Sequence, residues 1–288
     1  MLEPLWVPSE RRIKDSNMYR FIQTVNRKHG TQFTDYDGLY QWSVTNIAAF
    51  WAEFWDFAEI RASKDYDQVV DDPYKMPGAK WFSGSRLNFA ENLLRYRDDH
   101  TALIFKGEDL VRKTLTYREL FTATAKLAAS LRKAGIVPGD RVVGFMPNMP
   151  ESIIAMLAAT SLGATWSSCS PDFGIKGVLD RFGQTRPKVL FTADGYYFKG
   201  KPLDCLAKIA GIAKEIPSLE TIVVIPYISK RPELQDLPKA TLYADFTEND
   251  ASEIAFTHLP FEHPLYIMYS SGTTGLPKCM VQSAGGVL

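Results

Sequence analysis

From residue 101 to residue 268, short apolar runs of strand length alternate with longer amphipathic stretches, and no other feature of the chain constrains its fold as tightly. The runs lie at 101–105, 141–145, 164–168, 188–192, 221–225 and 265–268. The stretches between them, about 116–134, 150–162, 175–185 and 203–215, carry apolar residues at helical spacing. A strand followed by a helix and another strand folds as a right-handed crossover. The sequence therefore predicts an α/β class: a mostly parallel sheet flanked on both faces by helices. Two details support the register. Residues 113–115 complete a hairpin with the first run, and Thr116-Tyr117-Arg118-Glu119 is a capping box opening a helix that carries Leu120, Leu127 and Leu131.

Ahead of this pattern the chain is helical and aromatic. Asn17 is placed to cap a helix with Met18, Phe21, Ile22 and Val25 on one face and Gly30 as its stop. Ser43 is placed to cap a second helix, along which Val44, Ile47, Phe50, Trp51, Phe54, Trp55 and Ala58 recur at helical spacing. So aromatic a stripe reads either as a ligand box or as a packed helix face, and the second is the ordinary use of such a pattern. Pro73, Pro77, Gly78 and Gly84 then punctuate an irregular arm with a short helix near 87–94. These features divide the chain into a helical and irregular N-terminal region, 1–97, and the first part of a larger domain, 98–288. The segment 229–264 reads as polar and irregular.

With 288 residues, 45% of them hydrophobic, the chain buries a sizeable core. Lys plus Arg equals Asp plus Glu at 33 each, so no global field favours nucleic acid or an anionic membrane. The three cysteines form no paired motif, which argues against a disulfide scaffold or structural zinc and for a reducing compartment, the cytosol. No secretory leader is expected at the N-terminus, and the apolar run 153–168 is interrupted by Thr160, Ser161 and Gly163, so membrane insertion is not expected either.

Chemistry concentrates in Tyr269-Ser270-Ser271-Gly272-Thr273-Thr274-Gly275-Leu276-Pro277-Lys278. Hydroxyls, flexible backbone and one ammonium in so short a span suit a polyphosphate, whose oxygens accept hydrogen bonds from N–H and O–H groups. Serine, threonine and glycine are also ordinary turn residues, so a polar hairpin turn is the competing reading. A Walker A loop needs Gly-Lys-Ser/Thr and is not matched, and the dinucleotide pattern G-x-G-x-x-G is absent. Asp172-Phe173-Gly174 lacks the other kinase motifs and reads as a turn before a helix. The Ser-x-x-Lys of Ser130 to Lys133 falls within a helix, on what reads as a solvated face.

The order of residues in the loop resembles the signature [ST]-[SG]-G-[ST]-[ST]-G-x-P-K of the adenylate-forming enzymes. The resemblance extends to the acetyl- and acetoacetyl-CoA synthetase family through Trp51-Ala52-Glu53-Phe54-Trp55 and through Trp81-Phe82 with Arg86-Leu87-Asn88-Phe89-Ala90-Glu91-Asn92. Ser170-Pro171-Asp172-Phe173-Gly174, Asp180-Arg181-Phe182-Gly183-Gln184 and Gln282-Ser283-Ala284-Gly285-Gly286 are more similar to the acetoacetyl branch; acetyl-CoA synthetases usually carry histidine where Gln282 stands. The similarity covers nearly the whole chain but only the first half or less of a family member.

The resemblance implies ligation of acetoacetate to CoA through an acyl-adenylate, with ATP, Mg²⁺ and CoA taking part and lipid and sterol synthesis as the setting. It places Ser270, Ser271, Gly272, Thr273, Thr274, Gly275 and Lys278 on the ATP phosphates. It places Lys199 and Lys201, in Asp194-Gly195-Tyr196-Tyr197-Phe198-Lys199-Gly200-Lys201, on the CoA 3′-phosphate, although two solvated loop lysines fit that stretch equally well. No metal ligand is assigned. The family's adenine motif, ribose-binding aspartate, hinge and catalytic lysine have no counterpart before Leu288, so the catalytic residues are expected beyond it and the 288-residue chain alone is expected to be inactive. A non-catalytic product that binds nucleotide or a protein partner weakly, and a ligase for acetate or propionate, stand as alternatives. Protein partners and oligomeric state are not readable.

Overall fold

The computed structural model describes residues 5–108, 111–271 and 275–288. The chain forms two compact units: one runs to Arg61 and resumes over Asp65–Gly84, and the other comprises Ala62–Lys64 and Ser85–Leu288.

The first unit is built on helices α1 (Glu10–Lys14), α2 (Asn17–His29), α3 (Tyr36–Thr45) and α4 (Ile47–Phe57). The cap of α2 is Ser16, not Asn17: the Ser16 hydroxyl accepts the Tyr19 N–H at 3.1 Å, and Asn17 is the first helical residue. Gly30 closes α2 at φ 67°, the left-handed conformation that glycine adopts without a Cβ clash. The expected cap at Ser43 is corrected as well. Asp35 starts α3 by accepting the Gly38 N–H at 3.0 Å, so Ser43 lies in the last turn and bonds back to the Tyr40 carbonyl at 2.8 Å. Asn46 then separates α3 from α4. The aromatic stripe of α4 is a packed face within this unit. Phe21 of α2 sits 5.8 Å from Phe50 and 5.0 Å from Phe57, and Trp55 stacks on Phe82 at 4.7 Å. Gln68–Val70 pairs antiparallel with Trp81–Ser83.

The second unit is a seven-stranded sheet flanked by helices, the α/β architecture that the alternation predicts. Its strands are β1 (Arg141–Phe145), β2 (Thr165–Cys169), β3 (Val189–Ala193), β4 (Thr221–Ile225), β5 (Ala240–Leu242), β6 (Pro264–Ser270) and β7 (Lys278–Ser283). In space they run β5-β4-β3-β1-β2-β6-β7, parallel except for the β6–β7 pair. The helices are α5 (Phe89–Leu93), α6 (Tyr117–Lys133), α7 (Pro150–Ser161), α8 (Ile175–Thr185) and α9 (Leu206–Glu215). Successive strand residues point to opposite faces. Val142, Trp166, Phe191 and Val223 accordingly pack under α6 and α7, whereas Val143, Leu190 and Val224 pack under α8 and α9. Burial on both faces is why these strands read as unbroken apolar runs.

Local signals account for several boundaries. The capping box forms: the Thr116 hydroxyl accepts the Glu119 N–H at 3.2 Å, and the Glu119 carboxylate accepts the Thr116 N–H at 2.8 Å. Asp172-Phe173-Gly174 is the turn that leads into α8, with Gly174 at its N-cap. Ser130 overturns the expectation of a solvated face. It is 6% exposed and donates to the Phe246 carbonyl at 2.6 Å, because the segment after β5 packs across α6. The helix expected from 203 begins at Leu206. Before it stands a hairpin, Gly195–Phe198 with Lys201–Asp204, whose turn uses Lys199 at φ 52° and Gly200 at φ 74°. The segment 229–264 is not wholly irregular either. It contributes β5 and the short strand Leu259–Pro260, which pairs with Arg86–Leu87. Among the described residues no helix is long and apolar enough to cross a membrane.

Candidate functional site

The order of connections fixes where a ligand fits this sheet. After β1 the chain passes through α7 to the adjacent β2; after β2 it passes through α8 back across β1 to β3. This reversal sends α7 and α8 to opposite faces and opens a crevice beyond the carboxyl ends of the central strands, the usual ligand position in open α/β sheets. β6 joins β2 in parallel, with Tyr266 beside Trp166 and Ile267 beside Ser167, so its own carboxyl end emerges at the same edge. The hydroxyl-rich loop thus starts where the topology makes room for a ligand.

Ser270 ends β6 and faces Lys278, the first residue of β7, across the antiparallel ladder. These two sequence-predicted residues are brought together at the neck of the loop. Ser271, Gly275 and Lys278 are exposed, and Gly275 has φ 97°, a conformation open to glycine and strained for other residues. Gly272, Thr273 and Thr274 lie outside the described residues.

Beside the neck lies a cleft of about 520 Å³. Trp166, Met156, Tyr266 and Phe173 supply much of its apolar wall, and among its lining residues Arg181 alone is charged. The Arg181 guanidinium sits 4.3 Å over the Phe173 ring and 5.7 Å over the Tyr269 ring, with Nη1 donating to the Gly177 carbonyl at 2.7 Å. Tyr269, one residue before the loop, has its phenol 2.9 Å from the Ser167 hydroxyl, and burial pushes that phenol up to about 12. Burial likewise pushes the Cys169 thiol up to about 12, against the pull of the Arg181 charge. Both groups are therefore neutral near pH 7, and the cleft keeps a net positive character from Arg181. Gln184, one helical turn beyond Arg181, donates to the Pro277 carbonyl at 3.0 Å. Arg181 and Gln184 fall within a segment that carries the family resemblance, but their contacts with the loop span about 90 residues and leave no trace in local sequence.

Lys199 and Lys201 stand elsewhere. They are exposed on the hairpin after β3 and are not among the residues lining the cleft. The backbone N–H groups of Lys199 and Gly200 donate to the Glu108 carboxylate at 3.1 and 2.8 Å. Among the described residues no three His, Cys, Asp or Glu side chains converge as a metal set.

The family model of AMP-binding enzymes matches residues 89–288, which takes in the whole sheet, the cleft and the loop. The chain belongs to the AMP-binding enzyme family. A second model, of the acetyl-coenzyme A synthetase N-terminus, matches residues 36–93. Among curated members of the family, the acetoacetyl-CoA synthetase of Gallus gallus is 45% identical over 294 residues, covering 99% of this chain and 44% of that protein. The acetoacetyl-coenzyme A synthetase of Rhizobium meliloti (strain 1021) is 45% identical over 287 residues, with the same shares covered. A solved family structure, acetoacetyl-CoA synthetase from Streptomyces lividans, superposes with a TM-score of 0.93 at 40% identity, covering 99% of this chain and 44% of that one. The chain therefore spans less than half the length of the relatives it matches, and the match is to their N-terminal portion.

Proposed function

We propose that the chain supplies the ATP-phosphate subsite of an acid–thiol ligase that joins acetoacetate to CoA. In the first half-reaction a carboxylate oxygen of acetoacetate attacks the α-phosphorus of MgATP, the bond to the β-phosphate breaks, and pyrophosphate leaves. In the second, the CoA thiol attacks the acyl-adenylate carbonyl, gives up its proton, and AMP leaves. Magnesium enters this reading as part of the nucleotide substrate.

The observation that carries this reading is the neck pairing of Ser270 with Lys278 at the carboxyl edge of the sheet, in a chain of this family. A lysine at the mouth of a hydroxyl-rich loop is placed to meet the negative charge that accumulates on departing phosphates, and a donor held in place there is worth roughly 10²–10³ in rate. Ser270, Ser271, Gly272, Thr273, Thr274, Gly275 and Lys278 are the proposed phosphate ligands. Lys199 and Lys201, on their exposed hairpin, are proposed for the CoA 3′-phosphate. Acetoacetate as the acid is supported by the relatives' names, a cytosolic setting by three free cysteines, and a role in lipid synthesis by the product's chemistry as a β-ketoacyl thioester, an activated carbon donor.

Titration of the 288-residue chain with MgATP by calorimetry tests the subsite: saturable binding that Lys278→Ala weakens at least tenfold is expected, and equal binding by the two contradicts the assignment. Acid specificity is read by pyrophosphate exchange in this chain extended with the remainder of the Streptomyces relative. Acetoacetate should outpace acetate and propionate, and a preference for either of those replaces acetoacetate in the reading.

A further inference from the structure

We propose that helix α8 clamps both ends of the phosphate loop, with Gln184 and Arg181 acting through the loop as positioning residues. The proposal rests on the phosphate-loop reading above and adds what anchors the two ends of the loop.

Residues three apart on a helix share a face. On α8 that face carries Arg181 and Gln184, and each meets a different end of the loop. Arg181 lies over the ring of Tyr269, the residue before Ser270. Gln184 meets Pro277, the last residue before β7. Proline has no N–H, so its carbonyl is the sole backbone hydrogen-bonding group there, and Gln184 takes it. The second hydrogen of the same amide has a partner in the Asp180 carbonyl at 2.6 Å, which holds the side chain in a fixed direction.

The ladder between β6 and β7 ends at the Ser270–Lys278 pair. Gln184 carries the hold one residue further into the loop, from the opposite side of the neck to Arg181. A span rich in glycine and hydroxyl residues loses much freedom when its donors converge on an anion. Tethering both of its ends to one rigid helix lowers that cost in advance, which raises affinity without a new ligand contact. Gln184 is itself exposed, so its replacement leaves the core beneath α8 intact.

The test is a ³¹P NMR titration of inorganic tripolyphosphate with the 288-residue chain and three variants, each also melted thermally. Gln184→Met keeps the side-chain length and removes the donor; it should weaken binding roughly fivefold, the worth of one neutral hydrogen bond, with the melting temperature nearly unchanged. Gln184→His places a ring N–H at the same reach and should recover most of the affinity, which a merely structural role would not produce. Arg181→Lys keeps the charge and loses the flat stacking group, so weaker binding is expected. Affinity of Gln184→Met equal to that of the unsubstituted chain overturns the clamp while leaving the loop reading in place. Unchanged affinity in Arg181→Lys removes Arg181 from it. No saturable binding by the unsubstituted chain overturns the loop reading and the clamp together.

Discussion

Asn88 donates its side-chain amide to the carbonyl of Thr257 at 2.9 Å, across 169 residues of sequence. The same nitrogen lies 3.2 and 3.0 Å from the carbonyls of Thr160 and Ser161 at the end of α7, while the Asn88 amide oxygen caps α5 by accepting the Glu91 N–H at 3.2 Å. Asn88, Thr160 and Ser161 are each 3% exposed or less, so the two carbonyls at the end of α7 have no water as an easy substitute. Asn88→Asp keeps the shape and turns a donor into a charge facing carbonyl oxygens; it is expected to cost about 3 kcal/mol or more at neutral pH. Urea unfolding measures this, and a loss below about 1 kcal/mol would show that the network is dispensable.

Asp194 does for the carboxyl edge of the sheet what Asn88 does for the far end of α7. Its carboxylate is 2% exposed and accepts three backbone N–H bonds, from Tyr227 at 2.7 Å, Ile228 at 3.0 Å and Ser229 at 2.8 Å. That arrangement shapes the turn after β4, and it leaves Gly195 no room: a Cβ there would meet the Leu203 carbonyl at 2.5 Å and the Ile228 side chain. Asp194→Asn points a donor at donors and is expected to lose roughly 2–3 kcal/mol. Gly195→Ala should destabilise separately through strain. Hydrogen exchange of the Tyr227, Ile228 and Ser229 amides reads the first effect directly: they should exchange far faster in Asp194→Asn, and unaltered protection would refute the role.

The contrast between these anchors and the strands shows what the sequence could reveal. Residues 141–145, 175–185 and 221–225 form the elements expected of them because burial on one face or both writes a local period. The capping box at Thr116 is equally local. Caps elsewhere slipped, by one residue at Ser16, and at Ser43 because Asp35 had already started the helix. The hairpin 195–204 stayed hidden because Gly195 is fixed by distant Ile228 and its turn depends on Lys199 in a left-handed conformation that residue type does not announce. In the site, the loop was legible because its chemistry is contiguous. Gln184 and Arg181 reach it across the fold, and only the folded chain joins them to it.

Cysteine chemistry follows from where the three thiols sit. Cys169 and Cys205 are buried, and desolvation pushes each up to about 12; Cys279, on β7, is exposed. The thiolate is the reactive form, so two thiols lack both access and charge. Ellman's reagent at pH 8 should react quickly with one thiol per folded chain and with three after denaturation. Rapid modification of two or more in the folded protein would contradict the packing around α8 and α9.

Alkaline pH gives a sharper test of the same burial. The ordinary values are 9.0 for the thiols and 10.0 for tyrosine, whereas the folded chain holds Cys169, Cys205, Tyr266 and Tyr269 at about 12. Each folded value lies above its unfolded one. Between the two, the unfolded chain has released protons that the folded chain still binds, so stability falls as pH rises. The contribution is fully present below about pH 9 and drains away toward pH 12, first through the thiols and then through the phenols. Urea midpoints should therefore hold level from pH 7 to 8.5 and decline steadily by pH 10.5. Tyr269→Phe removes one of these groups and should flatten the decline above pH 10 while leaving the thiol portion in place. A wild-type midpoint that stays level through pH 10.5 would mean that these side chains titrate alike in both states, and that the wall of the cleft is open to water.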